Sequence, residues 1–591
     1  MTAIDTRDDV TRDIGAAAVR PPHSLWPHSL WPRSLWPRSI WPLATLVIAA
    51  VVAMPVAVVA SRVFIPTNGV WSHLAQTVLP EYILNTLALG VLVGTGTLVI
   101  GVAAAWTVTM CRFPGSRTLE WALLLPMAVP AYIMAYTYTD VFQFVGPVQT
   151  ALREWFGWTR RDYWFPEIRS LGGAATMFTL VLYPYVYLMS RAAFLEQSVC
   201  VLEVSRTLGR GPWASFFRVA LPLARPAIVG GVALALMEVL ADFGTVQYFA
   251  VNTFTTGIYR TWFAMGEPVA AAQLSAALLS FVGVLLVMEN WSRRQAKFHH
   301  TTARYRRLPT HALRGGRAAL ALIGCSLPIF LGFVVPSAVL AAKAIDYGGD
   351  ARLAQNFLPL AFNSLTLACA AAALAVLMAV VLAYGKRLHP SPAVEGATRV
   401  AALGYAVPGS VVAVGVLIPF AWIDNALDGF MRQHFDISTG LMLSGTVAAV
   451  LFAYLVRFLA IAFNAVDSSF GKIRINMDHA ARVLGCTPGQ TLRRVHAPLM
   501  WGSLLTAALI VFVDVMKELP ATMIVRPFNF DTLAIRVYQM ASDERLSEAA
   551  VSGLAIVAVG VIPVILLSRA IAASRPGGGD DGKAPAGPVI C

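Results

Sequence analysis

Charge is scarce in this sequence, and the spaced cysteine and histidine patterns that hold disulfides or metals are missing. Only 13% of the 591 residues are Asp, Glu, Lys or Arg, against 57% hydrophobic. That balance excludes an ordinary soluble protein of several domains. The six cysteines, Cys111, Cys200, Cys325, Cys369, Cys486 and Cys591, are scattered and form no CxxC pair. Neither a disulfide framework nor a zinc site is expected from them. The ten histidines include no HExxH, and no GxxxxGK[ST] phosphate loop occurs. The chain therefore reads as a non-enzyme, with no metal or cofactor site and no nucleotide-hydrolysing machinery of its own.

Long apolar runs take the place of such motifs. A bilayer's hydrocarbon core needs about 20 apolar residues per helix. Twelve such stretches are expected, near 43–63, 84–108, 120–142, 173–195, 227–250, 273–291, 317–342, 358–384, 397–422, 440–465, 500–520 and 550–570. The fold class is an all-α polytopic membrane protein. The formal net charge of +13 follows the same plan. With both termini cytoplasmic and twelve alternating spans, the cytoplasmic segments hold 31 of the 45 Lys and Arg, the bias that orients helices on insertion. Without a basic stripe interleaved with aromatics in a soluble module, nucleic acid is not an expected partner.

Residues 1–42 form a cytoplasmic extension without the features of a cleavable signal. They contain a fourfold pentapeptide, HSLWP-HSLWP-RSLWP-RSIWP, ending at Pro42. A proline at every fifth position forbids a regular helix. Trp26, Trp31, Trp36 and Trp41 suit a membrane-surface anchor, and a tolerated tandem duplication without function explains the repeat equally well.

A larger repeat spans the chain. NTLALGVLVGTGTLVIGVAAAW from Asn85 matches NSLTLACAAAALAVLMAVVLAY from Asn363, and Pro130 in MAVPAY matches Pro408 in YAVPGS at the same offset. LYPYVYLMSRAAF (182–194) matches LFAYLVRFLAIAF (451–463). Internal duplication is a common transporter plan. It divides the chain into a first half at 43–291, a basic cytoplasmic linker at 292–316, a second half at 317–570 and a disordered tail at 571–591. With six spans in each, the two halves are parallel.

One polar phrase also occurs twice, as EVSRTLGRGPWASFFRVALP (203–222) and HAARVLGCTPGQTLRRVHAP (479–498). Glu203, Arg206, Leu208, Gly209 and Pro222 recur at identical intervals as His479, Arg482, Leu484, Gly485 and Pro498. Each copy falls between the fourth and fifth spans of its half, on the expected cytoplasmic side. A short helix, a break at the glycine and a second helix are expected, with the proline where the chain turns into the membrane.

The spacing E-x-x-R-x-L-G…L-P resembles the EAA loop in permease subunits of bacterial ABC importers. That resemblance implies a coupling helix in each half docking into a separate cytoplasmic ATPase, of which two copies serve the two loops. The second copy departs from the family pattern at His479, with Asp478 one position early, and at Ala497 before the proline. YPYVYLMSRAAFLEQS (183–198) and LADFGTVQYFAVNTFTTGIYRTWFAMG (240–266) resemble the fused permeases of iron(III) importers. These take their substrate from a periplasmic binding protein and work by alternating access in the bacterial inner membrane. Related permeases carry thiamine, phosphonates, polyamines or sulfate.

Two acid pairs are conspicuous without any resemblance. The fifth expected span holds Glu238 and Asp242, and the eleventh holds Asp514 and Glu518. Each pair is spaced i, i+4 on one helix face. An ionisable group within a span costs roughly 2.5–3.5 kcal/mol or more, so it faces a cavity or a partner. Lys517 is such a partner. The acids either line a pathway suited to hard cations, cap backbone freed where DFGT (242–245) and ELPAT (518–522) break the helices, or are solvated at helix ends. If they were proton or sodium sites, the chain would be an ion-coupled secondary transporter. A membrane scaffold or sensor without transport is a further alternative.

On the opposite side, segments 143–172 and 521–549 carry Trp155, Trp158, Tyr163 and Trp164, then Arg526, Asp531, Arg536 and Glu544. They are either a docking face for a binding protein or surface loops with interfacial aromatics. Arg260 in TTGIYR and Arg536 in DTLAIR align and are the preferred docking candidates.

Overall fold

A computed structural model describes residues 40–67, 69–196, 211–294, 311–347 and 351–573. Most of the first polar loop (Glu203, Arg206, Leu208 and Gly209), residues 1–39 and the tail from 574 lie outside the described residues. The protein is an all-α polytopic membrane protein. Among the described residues, eleven helices are long and apolar enough to cross a bilayer, or twelve if one bent pair counts as a span.

That pair corrects the third expected span. Ser116–Ala128 and Ala131–Phe156 meet at 89°. The cause is LPMAVP, a turn of 3-10 helix at Leu125–Ala128 followed by Pro130, which starts the next helix in extended conformation at φ −60° and ψ 143°. Pro408 does the same before Gly409–Phe435, so the ninth expected span begins later, at Gly409. The fifth and eleventh spans end earlier than expected, at Ala241 and Met516.

Helix packing within the first half rests on small residues, which let backbones approach where lipid supplies no hydrophobic drive. Val186 on Leu171–Glu196 is clasped between Gly101 and Gly231. A Cβ on Gly101 would lie 2.7 Å from Val186 Cβ, and one on Gly231 would lie 2.8 Å from Val186 Cα.

The first helix of each half crosses to the other half. Ile40–Arg62 packs on Phe357–Leu388 and Gly409–Phe435, and Trp41 sets its ring edge-on to Tyr384 at 4.9 Å. Reciprocally, Gly316–Asp346 packs on first-half elements: Tyr138 donates to the Leu331 carbonyl at 2.5 Å, and Lys343 pairs with Asp140 at 2.8 Å. A short parallel bridge joins Cys111–Arg112, at the end of Leu79–Met110, to His311–Ala312 within the linker.

At the other end of the bundle the repeat is visible in hydrogen bonds. Asn85 donates to the Asn252 carbonyl at 2.9 Å, and Asn363 donates to the Asp531 carbonyl at 3.2 Å. In each half the following threonine, Thr253 or Thr532, caps the next helix, Phe254–Phe263 or Leu533–Ser542.

Candidate functional site

The four acids meet in one cavity between the halves. It is a partly open cavity of about 100 Å³, lined by Glu238, Asp242, Asp514 and Glu518, with Arg457, Lys517, Tyr132, Tyr185 and Tyr405. Each helix that carries an acid pair stops there. Asp242 accepts hydrogen bonds from the Thr245 N–H (2.9 Å), the Thr245 hydroxyl (3.0 Å) and the Val246 N–H (3.3 Å). Glu518 accepts the Ala521 N–H at 2.9 Å. The second acid of each pair, one residue before the N-cap, thus accepts N–H groups at the start of the short helix after the break, Gly244–Tyr248 or Pro520–Val525. Capping and lining are not alternatives here, because the carboxylates do both.

The first acid of each pair takes a side-chain partner. Tyr405, from the second half, donates to Glu238 Oε1 in the first half at 2.6 Å. Lys517 pairs with Asp514 at 2.8 Å. Arg457 pairs with Glu518, both almost fully buried. The pair rests on Gly409, where a Cβ would lie 2.8 Å from both Arg457 Nη1 and Glu518 Oε1. Four carboxylates against two cationic side chains leave the lining acidic. The buried Tyr132 hydroxyl lines the same space without a hydrogen-bond partner among the described residues. Among the described residues no three His, Cys, Asp or Glu side chains are grouped as a metal site requires.

Arg457, Tyr132, Tyr185 and Tyr405 were not singled out from the sequence. Arg457 had a signal, since it is the one charge in LFAYLVRFLAIAF. The tyrosines had none, because nothing distinguishes a cavity-lining phenol from a core one before the breaks are placed.

At the opposite end, the second polar loop folds as a helix, Ile475–Val483, a turn and a further helix. Gly485 holds φ at +79° and ends the first helix. Thr487 and Gln490 form a capping box that starts the second. His479 and Arg482 lie exposed on the first helix, and Leu484 follows it. Val483 and Leu484, 87% and 81% exposed, form an apolar tip. The expected turn at the proline is corrected. The helix runs on through Pro498 to Met516, and in the first half through Pro222 to Ala241. Both prolines follow one turn of π-helix, Phe216–Ala220 or Leu492–His496, which accommodates the N–H that proline lacks.

The alignment of Arg260 with Arg536 is also corrected. The capping threonines place Thr253 opposite Thr532, so Tyr259 corresponds to Tyr538 and Arg260 to Gln539. The second connector is three residues longer than the first. Arg260 is exposed and Arg536 half-buried. Of the other outer residues, Trp155 and Trp164 are exposed, while Trp158 stacks between Phe156 and Tyr163. Arg526 pairs with Asp531, and Glu544 lies 3.5 Å from Arg169.

Duplicated helical halves around a polar cavity, with a helix–turn–helix element at one end of the second, are the plan of a membrane permease. Residues 97–294 match the family model described as "binding-protein-dependent transport system inner membrane component". Over residues 97–294 the chain is similar to the inner-membrane permease subunits of that family, and its long apolar helices mark a multi-pass membrane protein. It is 26% identical over 495 residues to the Fe(3+)-transport system permease protein FbpB 2 of Haemophilus influenzae, covering 83% of this chain and 90% of that one. It is 28% identical over 223 residues to the molybdenum transport system permease protein ModB of Escherichia coli, covering 36% of this chain and 94% of the relative. It is also 30% identical over 154 residues to the sulfate transport system permease protein CysT of Escherichia coli, covering 26% and 53% respectively.

Proposed function

We propose that this permease imports ferric iron, delivered by a periplasmic binding protein and driven by two ATPase subunits docked on the cytoplasmic loops. The acidic lining of the central cavity carries this reading. Carboxylate and phenol oxygens suit a hard cation. Molybdate and sulfate, the oxyanion forms of the molybdenum and sulfur named for two relatives, would meet four carboxylates and only two cationic side chains. Similarity over most of the chain to a relative named for Fe(3+) transport points the same way. Since the carboxylates are not grouped as a metal site, the cavity serves passage rather than retention.

The chain supplies binding surfaces and a path; ATP chemistry belongs to the ATPase subunits. The apolar tip at Val483 and Leu484, flanked by His479 and Arg482, offers a docking surface to one ATPase subunit, and the phrase from Glu203 to Pro222 offers another. The segments carrying Arg260 and Arg536 face the binding protein on the periplasmic side. Closure of the ATPase pair brings the loops together and turns the halves about the cavity, exposing it to the loaded binding protein; hydrolysis resets it inward. Substrate competition tests the substrate. Binding-protein-dependent uptake of radiolabelled ferric iron in proteoliposomes should resist excess molybdate, sulfate and thiamine. Competition by any of them would refute ferric specificity.

A further inference from the structure

The second polar loop is fastened to the membrane core by buried polar side chains. Asp478, on the helix Ile475–Val483, is 7% exposed. Its Oδ2 accepts two hydrogen bonds from Arg387, from Nε at 2.9 Å and Nη2 at 2.7 Å. Its Oδ1 accepts one from His496 Nε2 at 2.5 Å. Arg387 also donates to the carbonyls of Phe470 at 2.7 Å and Ile473 at 2.9 Å, where Val447–Lys472 ends. His496 is fully buried, its Nδ1 has no partner among the described residues, and the carboxylate it meets accepts, so Nε2 carries the proton. Tyr384 packs against the His496 and Phe470 rings and donates to the Pro488 carbonyl at 2.7 Å. Trp41, the last tryptophan of the fourfold repeat, closes over Tyr384.

Every polar arm of this cluster but one is satisfied, and charge-assisted bonds of this kind are the stronger ones. It gathers the ends of three long helices around a single short one. His496 occupies the π-turn of the helix whose far end bears Asp514 and leads to Glu518. The first half does not repeat these residues. At the offset that matches the loops, Asp478 and His496 correspond to Leu202 and Ala220. At the offset that matches Asn85 with Asn363, Arg387 corresponds to Thr109.

We propose that Arg387, Asp478 and His496 are positioning residues that clamp the second coupling helix to the core. Force applied to Ile475–Val483 then passes directly into the helix ending at the cavity acids. The proposal rests on the coupling role given to this loop above. It makes the link specific to residues that the matching positions of the first half do not repeat.

Hydrogen exchange on the full chain in nanodiscs, with and without its ATPase subunits, tests the clamp. In Asp478→Asn, backbone amides of 475–483 should exchange roughly 10- to 100-fold faster, as expected for losing one to two charged hydrogen bonds. Substrate moved per ATP hydrolysed should fall while the ATPase subunits stay bound, which a lesion that merely unfolds the loop would not produce. Asp478→Glu, which keeps the charge, should restore most of that ratio. His496→Gln provides a second lesion that leaves the carboxylate paired with Arg387. Unchanged exchange in both Asp478→Asn and His496→Gln would overturn the clamp. If the ATPase subunits fail to bind the wild-type chain, the coupling role falls, and the exchange rates alone still decide whether the clamp exists.

Discussion

Arg457 and Glu518 form a buried ion pair in which one carboxylate oxygen takes the guanidinium and the other caps the Ala521 N–H. One side chain therefore ends a membrane helix, starts the next and neutralises a charge in the cavity wall. Removing one member of a buried pair costs about 3–5 kcal/mol, because the other is left uncompensated. Glu518→Ala should lower thermal stability by that order and abolish transport. Arg457→Met should do the same while leaving the cap in place. Thermal unfolding in detergent checks the first effect and proteoliposome uptake the second. A Glu518→Ala protein as stable as wild type would remove the pair from the account.

Gly409→Ala isolates the geometry of that pair from its charge. The added methyl would meet Arg457 and Glu518 at 2.8 Å, so one of them must move into the cavity. Uptake should fall at least about tenfold, the effect of a 1.4 kcal/mol penalty, with the chain still inserted and ATPase binding unaffected.

The remaining cavity acids answer to charge. Glu238→Gln keeps a partner for Tyr405, and Asp514→Asn leaves Lys517 with a weaker one. Each should reduce ferric uptake, and Glu238→Lys should reduce it further. An oxyanion permease would show the opposite order.

Asn85→Ala and Asn363→Ala should destabilise the protein similarly, by about 1 kcal/mol each, since each deletes one side-chain hydrogen bond to a backbone carbonyl. Matched shifts in melting temperature would establish the repeat as energetic as well as geometric.

Gly485→Val forces a β-branched residue into a backbone with φ +79°. The strain of about 1–2 kcal/mol falls on the turn after the second coupling helix, so ATPase binding should weaken. Leu484→Asp should weaken it through the apolar tip alone.

Much of this was legible in the residues. Hydropathy reveals a helical membrane protein because a bilayer demands long apolar runs, and the acid pairs are conspicuous because charge is expensive there. What hydropathy misses is where helices break. Pro130, Pro408, Asp242 and Glu518 all act within apolar or near-apolar stretches, so a sliding reading runs spans through them. The partner of Glu518 is Arg457, 61 residues away, and its proximity comes only from packing. Arg260 and Arg536 end similar hexapeptides, TTGIYR and DTLAIR. Three additional residues in the second connector, which only the capping threonines reveal, shift that register.

The central claim is that the acidic cavity is a path for ferric iron powered by another subunit's ATP. Uptake of radiolabelled ferric iron into proteoliposomes tests it most directly, using this permease with its ATPase subunits and loaded binding protein. The account predicts uptake that requires ATP, both partners and the intact acids. Uptake that persists without the ATPase and follows an imposed proton or sodium gradient would contradict it.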